Sequence, residues 1–191
     1  MGSASRGGPD ARLRSALIVP VSEASVVDKW RERSCAAKPS LGVPAHITLL
    51  FPFVAAPRTD AELVTSLGAL VVASERFEFE LREARRFPGV LYLSPAPAAP
   101  FIALTEAILA RFPAHPPYGG AFDSIEPHLT VAEGQDAVLD EAEAAVRPLL
   151  PIGSEAREAL LLEEVEPAFG RWRVHTRLPL GGSKRPIRSE P

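Results

Sequence analysis

The sequence predicts an α+β fold with mostly antiparallel sheets, and three observations carry that expectation. Residues 77–82 and 171–178 alternate apolar and polar side chains, the two-residue period of half-buried strands. Other stretches place apolar residues three and four apart, as amphipathic helices do. The order strand, helix, strand, helix, strands also recurs in outline in the second half, with a Pro-led His-x-Thr segment at the matching place in each.

The elements follow in order. Residues 1–12 are Gly- and Ser-rich, without an apolar run, and are expected to be a disordered tail rather than a secretory signal. Residues 15–21 form a short apolar run read as a buried strand. Ser25 is expected to cap a helix reaching about residue 37, with Val26, Val27 and Trp30 facing inward. Residues 38–42 are a loop that delivers the first His-x-Thr strand, which Pro52 and Pro57 end. Residues 59–62, Thr-Asp-Ala-Glu, read as a capping box before a helix bearing Leu63, Leu67, Leu70 and Val71. In the next strand Phe77, Phe79 and Leu81 face inward. Its partner across the Pro88-Gly89 turn, residues 90–93, turns Leu91 and Leu93 inward and Tyr92 to the other side. Residues 94–100 read as a stiff Pro/Ala linker between the halves. Phe101, Leu104, Ile108 and Phe112 mark a helix, and residues 122–131 deliver the second His-x-Thr strand. Asp136 is expected to cap a helix with Leu139, Ala142, Val146 and Leu149 inward. Residues 159–162 and 171–178 close the fold as strands. Trp172, Val174, Thr176 and Leu178 share one face of the last, and Arg171, Arg173, His175 and Arg177 the other. Residues 181–191 are read as a second disordered tail.

The two His-x-Thr segments hold the chemistry. Residues 44–51 read Pro-Ala-His-Ile-Thr-Leu-Leu-Phe and residues 126–131 read Glu-Pro-His-Leu-Thr-Val, with His46 and His128 separated by 82 positions. On a strand, His and Thr point to one face while the intervening Ile47 or Leu129 points to the other. Each segment therefore offers an imidazole beside a hydroxyl, rooted in a core. Histidine titrates nearest neutral pH, so two imidazoles can hold the opposite protonation states that phosphodiester chemistry needs. A neighbouring threonine hydroxyl can donate to a non-bridging phosphate oxygen. A zinc reading would need further ligands from His115, His175 or Cys35, none at a recognised spacing, and no metal or other cofactor is expected.

His46-Ile47-Thr48 and His128-Leu129-Thr130 resemble the paired signature of the 2H phosphoesterases, the superfamily that includes 2'-5' RNA ligase-like proteins and RNA cyclic phosphodiesterases. Residues 87–93 and 116–120 sit where such proteins carry a strand and a glycine loop. The likeness covers roughly residues 13–180, read as a single bilobal domain. It implies two pseudo-symmetric lobes with helices outside, and a central cleft carrying one His-x-Thr strand from each. It further implies metal-independent opening of RNA or nucleotide 2',3'-cyclic phosphates to 2'-phosphates. In the family's manner His128 would be the base and His46 the acid, with Thr48 and Thr130 beside them. Joining or cleaving a 2'-5' linkage at the same site is one alternative. A non-catalytic RNA- or nucleotide-binding module is the other.

Substrate contacts are expected from Tyr92 and Tyr118, by stacking or hydrogen bonding, and from Arg171, Arg173 and His175 on the last strand. A net charge of −3 gives no global field for duplex DNA, which leaves RNA ends or small nucleotide cyclic phosphates as partners. The lone Cys35 allows no internal disulfide, and no apolar stretch is long enough to span a bilayer. A cytoplasmic monomer without a membrane partner is the expectation.

Overall fold

A computed structural model describes residues 13–34, 41–55, 59–116 and 125–181. The expected tails, residues 1–12 and those after Gly181, lie outside the described residues, as do Cys35, Pro57, Tyr118 and Gly119-Gly120. The strands are β1 (Ser15–Pro20), β2 (His46–Leu50), β3 (Phe77–Phe87), β4 (Val90–Ala96), β5 (Leu129–Glu133), β6 (Ile152–Ala156), β7 (Glu158–Glu166) and β8 (Arg171–Pro179). The helices are α1 (Asp28–Ser34), α2 (Ala61–Ala73), α3 (Ala99–Arg111) and α4 (Asp136–Val146). Two four-stranded sheets form, in the orders β2-β1-β7-β8 and β5-β4-β3-β6, and their strand pairs run antiparallel. The first His-x-Thr segment thus opens edge strand β2, and the second leads into edge strand β5, with His128 immediately before it. This is the expected α+β architecture of two similar halves.

One apolar core spans both sheets and all four helices. Leu17 and Val19 of β1, Ile47 of β2, Leu91 and Leu93 of β4, and Leu129 and Val131 of β5 are buried in it, beneath Leu67 and Val71 of α2. Phe101, Leu104 and Ile108 of α3 and Leu139, Ala142 and Val146 of α4 close it from outside. Phe101 meets Phe77 and Phe79 edge-on at 4.8 and 4.9 Å. Each such side chain contributes about 1.5–3 kcal/mol by leaving water. A one-residue slip of β2 or β5 would forfeit those contributions, and this penalty fixes which face the histidines take.

The first sheet has a second apolar face. Ala16, Ile18, Leu160 and Leu162 form a small cluster there, covered by Val43, Phe51 and Trp172. With both faces covered, β1 and β7 lose polar alternation and read as continuous apolar runs.

Several expectations are corrected. Ser25 caps no α-helix: residues Ser22–Val27 form a 3₁₀ turn, so Ala24 and Val27, three apart, turn inward and Val26 stays exposed. The cap of α2 is Asp60, whose carboxylate accepts from the Leu63 amide at 2.9 Å, while the Thr59 hydroxyl turns toward Glu163. Residues 94–100 are no linker. β4 runs through Pro95, whose missing N–H falls opposite a bulge between Leu81 and Glu83, and α3 begins at Ala99 with Pro100 in its first turn. Gln135, not Asp136, is the residue preceding α4, and Leu149 is exposed in the 3₁₀ turn after it. The short Ile-Gly-Ser-Glu-Ala strand β6 has no sequence pattern of its own and is defined by pairing with residues 77–81.

The last strand carries the correction that matters most. A bulge around His175 interrupts its pairing with β7, so Thr176 and Leu178 pair with Leu161 and Ala159 on the core face. Beyond it, Val174 and Trp172 pair with Leu162 and Glu164, and Trp172 joins the second cluster. Strict alternation had put all four on one face.

Candidate active site

β2 and β5 turn their polar residues into one cavity of about 290 Å³. It is lined by His46, Thr48, His128 and Thr130, by Arg31, and by the apolar wall of Ile18, Val43, Phe51, Leu162 and Trp172. Leu129 and Val131 lie buried behind the second triplet, as Ile47 and Leu49 do behind the first. Thr48 is paired with Ile18 of β1, and Thr130 with Tyr92 of β4.

The two imidazoles are held in the same way. Nδ1 of His46 lies 2.7 Å from the Pro44 carbonyl oxygen, and Nδ1 of His128 lies 2.7 Å from that of Glu126, two residues back in each case. A carbonyl can only accept, so Nδ1 of each ring carries a hydrogen and Nε2 is left as the atom that gains or loses a proton. The shared Pro-led or Pro-containing approach to each strand supplies this carbonyl.

Their electrical surroundings differ. Burial pushes the His46 imidazole down to about 4, helped by the Arg31 guanidinium and, less, by His128, against a raising contribution from its bond to Pro44. Arg31 donates through Nη1 to Asp28 at 3.0 Å and to the Val43 carbonyl at 3.3 Å, and its Nη2 stands 3.4 Å from Nδ1 of His46. His46 is therefore neutral near pH 7, with a free lone pair on Nε2.

Behind His128 stands an aromatic pair. Phe87 and Tyr92 stack at 4.2 Å, and both meet the imidazole edge-on, at 5.4 and 5.3 Å. Tyr92 is on the non-core face, as its strand position requires, yet buried. Its hydroxyl donates to the Glu126 carboxylate at 2.7 Å, and burial and that carboxylate both raise its pKa. Tyr92 thus packs against a cleft residue without lining the cavity itself.

Arg171, Arg173 and His175 do not line the cavity; Trp172 is the β8 residue that does. Arg171 pairs with Glu166 at 3.3 Å, while Arg173 and His175 reach the Glu163 carboxylate at 3.0 and 3.1 Å. Burial would raise Glu163, but the neighbouring Arg173, Thr59 and His175 hold it below the usual carboxylate range. Tyr118 lies outside the described residues. Sequence reasoning missed Arg31, Phe51 and Trp172. The helical run containing Arg31 and the apolar run ending in Phe51 were visible, but nothing in them indicated a cleft. Among the described residues no group of three or more His, Cys, Asp or Glu side chains is placed to hold a metal ion. None of their helices is long and apolar enough to cross a membrane.

Two antiparallel sheets that bring the two His-x-Thr segments to one cavity match the α+β architecture implied by the resemblance to the 2H phosphoesterases. The family model of the 2'-5' RNA ligase superfamily matches residues 19–168, and the chain belongs to that superfamily. Crystal structures with the same fold include TT0787 of Thermus thermophilus, with a TM-score of 0.61 at 18% identity over 89% of this chain and 99% of that one. E. coli LigT complexed with 3'-AMP gives 0.56 at 17% identity, again over 89% and 99%. LigT complexed with NADP+ gives 0.54 at 20% over 90% and 99%. No curated protein sequence matches the chain.

Proposed function

We propose that the chain is a phosphoesterase that opens nucleotide or RNA-terminal 2',3'-cyclic phosphates to 2'-phosphates by acid–base catalysis between His46 and His128. The observation that carries this reading is the pair of equivalent Nδ1–carbonyl bonds, which leave two Nε2 atoms available in one cavity beside two hydroxyls. Water attacks phosphorus as a base takes its proton; the P–O3' bond breaks, and O3' leaves with a proton from the acid. Thr48 and Thr130 donate to the non-bridging oxygens as charge builds there. His46, neutral at pH 7, has a lone pair that can take the proton, so we assign it the base and His128 the complementary role. This reverses the order that family resemblance implied. The apolar wall of Phe51 and Trp172 suits a nucleobase attached to the phosphate, and LigT, of like fold, has been crystallised with 3'-AMP, NADP+ and ATP.

Purified protein should hydrolyse adenosine 2',3'-cyclic phosphate in the presence of EDTA, with a bell-shaped pH profile. His46→Ala and His128→Ala should each lose about 10²–10⁴-fold in kcat. Undiminished turnover in either variant rejects the mechanism, and loss on chelation alone restores a metal. The superfamily's name favours one second reading, 2'-5' joining or cleavage at the same atoms with the histidine roles exchanged. An oligonucleotide with a cyclic-phosphate end, offered with and without a 5'-hydroxyl partner, separates the two. A protein that binds these ligands without turning any over is the non-catalytic module instead.

A further inference from the structure

Arg31 has two duties open to it, and its two terminal nitrogens divide them. Nη1 is spent on the fold: it bonds Asp28 on its own helix and the Val43 carbonyl. Val43 precedes Pro44, whose carbonyl holds the ring of His46. Nη2 is differently placed. It approaches Nδ1 of His46 at 3.4 Å, but that nitrogen already donates to Pro44, so two donors meet and no hydrogen bond forms. Among the described residues no carboxylate or carbonyl receives Nη2, although the Arg31 side chain is only 13% exposed. A guanidinium edge that faces a cavity without a protein carboxylate or carbonyl is placed to meet an anionic ligand there.

The cavity gives that edge its meaning. Among the described lining residues Arg31 is the only Lys or Arg, while Thr48 and Thr130 supply neutral donors and Glu133 a negative charge. A phosphodiester monoanion entering here loses water from two non-bridging oxygens, and two hydroxyls alone leave its charge unmatched. We propose that Arg31 is the anion-recognising residue of the cleft, its Nη2 edge receiving a non-bridging phosphoryl oxygen while Nη1 keeps the Val43–Pro44 segment, and hence His46, in place. This rests on the phosphoesterase reading for the identity of the ligand, but its geometry does not depend on turnover. The charged and titratable groups facing His46 are Arg31, with Asp28 bonded behind it, His128 across the cavity, and Glu133 at its rim. Arg31 is the fixed cation among them.

The test uses Arg31→Gln and Arg31→Lys in the full chain, with inorganic phosphate as a binding probe followed by NMR, and adenosine 2',3'-cyclic phosphate as substrate. Arg31→Gln should weaken phosphate binding at least tenfold at pH 7 and reduce kcat/KM at least a hundredfold. The same variant should move the His46 titration, read by ¹⁵N shifts, upward from about 4 toward its ordinary value. Arg31→Lys keeps the charge but loses the fork, so it should keep His46 low while losing several-fold in phosphate affinity. Folded Arg31→Gln with unchanged phosphate affinity and an unmoved His46 titration overturns the proposal. Should the glutamine variant fail to fold, wild-type phosphate affinity and KM in Arg31→Lys overturn it instead. Wild-type protein that binds phosphate through Arg31 yet hydrolyses no cyclic phosphate sinks the phosphoesterase reading and leaves this inference standing.

Discussion

Tyr92 donates to the Glu126 carboxylate at 2.7 Å, and the backbone carbonyl of the same Glu126 holds Nδ1 of His128. One residue thus links a buried sheet position to the orientation of a cleft imidazole. Removing only the hydroxyl, in Tyr92→Phe, costs about 1 kcal/mol and keeps the Phe87 stack. Turnover should fall several-fold in kcat with KM nearly unchanged, because the ring orients His128 and does not line the cavity. Tyr92→Ala empties the stack as well and should cost about 3–5 kcal/mol in urea unfolding. Equal kcat in wild type and Tyr92→Phe would show that Glu126 holds the ring unaided.

Thr48 and Thr130 occupy equivalent positions, one facing the cavity from each sheet. Valine replaces the hydroxyl with a methyl of similar size, so packing is kept while a donor is lost. Thr48→Val and Thr130→Val should each lower kcat by about 10²–10³ and leave stability within about 1 kcal/mol. Full activity in either would remove that hydroxyl from the chemistry.

Trp172 offers a sharper test of substrate class. Its loss should weaken binding of anything that stacks, an effect worth about 1–3 kcal/mol per base. Trp172→Leu, which fills part of the space beside Phe51, should raise KM for adenosine 2',3'-cyclic phosphate roughly tenfold or more and leave ribose 2',3'-cyclic phosphate unaffected. Equal effects on both substrates would mean that the wall packs the protein and reads no base.

His46 also makes stability depend on pH. Unfolded, the imidazole takes a proton near 6.5; folded, it resists until about 4. Between those values the unfolded chain binds more protons, so stability is full above about 6.5 and falls as pH drops toward 4. The loss is on the order of 2–3 kcal/mol. Glu163, held low by Arg173, Thr59 and His175, contributes its own stability above its unfolded value and loses it at still lower pH. Unfolding by urea at pH 7.5 and pH 4.5 should show a smaller difference in His46→Gln than in wild type. Equal differences would mean that His46 is not protected from protonation.

The sequence made the two triplets legible because a strand's two-residue period leaves little choice. With Ile47 and Leu129 committed to the core, His46, Thr48, His128 and Thr130 had to face away from it. The cleft wall was harder to read. Ala16 to Val19 and Leu160 to Leu162 are apolar on both faces, so their pattern cannot say which face meets a cleft. In β8 the alternation was clear, but the bulge at His175 changed its parity and gave the cleft Trp172 in place of Arg173. Arg31 could not be seen at all. Its neighbour in space, His46, is fifteen residues away, and only the packing of α1 against the strands brings them together.

Gly42 ties the far edge of the first sheet to this site. Leu41 donates to the Gly170 carbonyl and accepts from the Trp172 amide, at 3.0 and 2.8 Å. Gly42 follows with φ of +86°, and a Cβ there would stand 2.4 Å from the Trp172 carbonyl oxygen. From there the chain enters β2 by way of Val43, which bonds Arg31, and Pro44, which holds His46. Gly42→Ala is strained in conformation and contact together, and each such strain costs about 1–3 kcal/mol. The variant should lose at least about 2 kcal/mol by urea unfolding, on the same reasoning, and more than tenfold in kcat, since the segment that seats Arg31 and His46 must shift. Gly153, on edge strand β6 with open space where a Cβ would stand, is the control, and Gly153→Ala should change neither quantity appreciably. A Gly42→Ala protein as stable and active as Gly153→Ala would mean that the segment yields without disturbing His46.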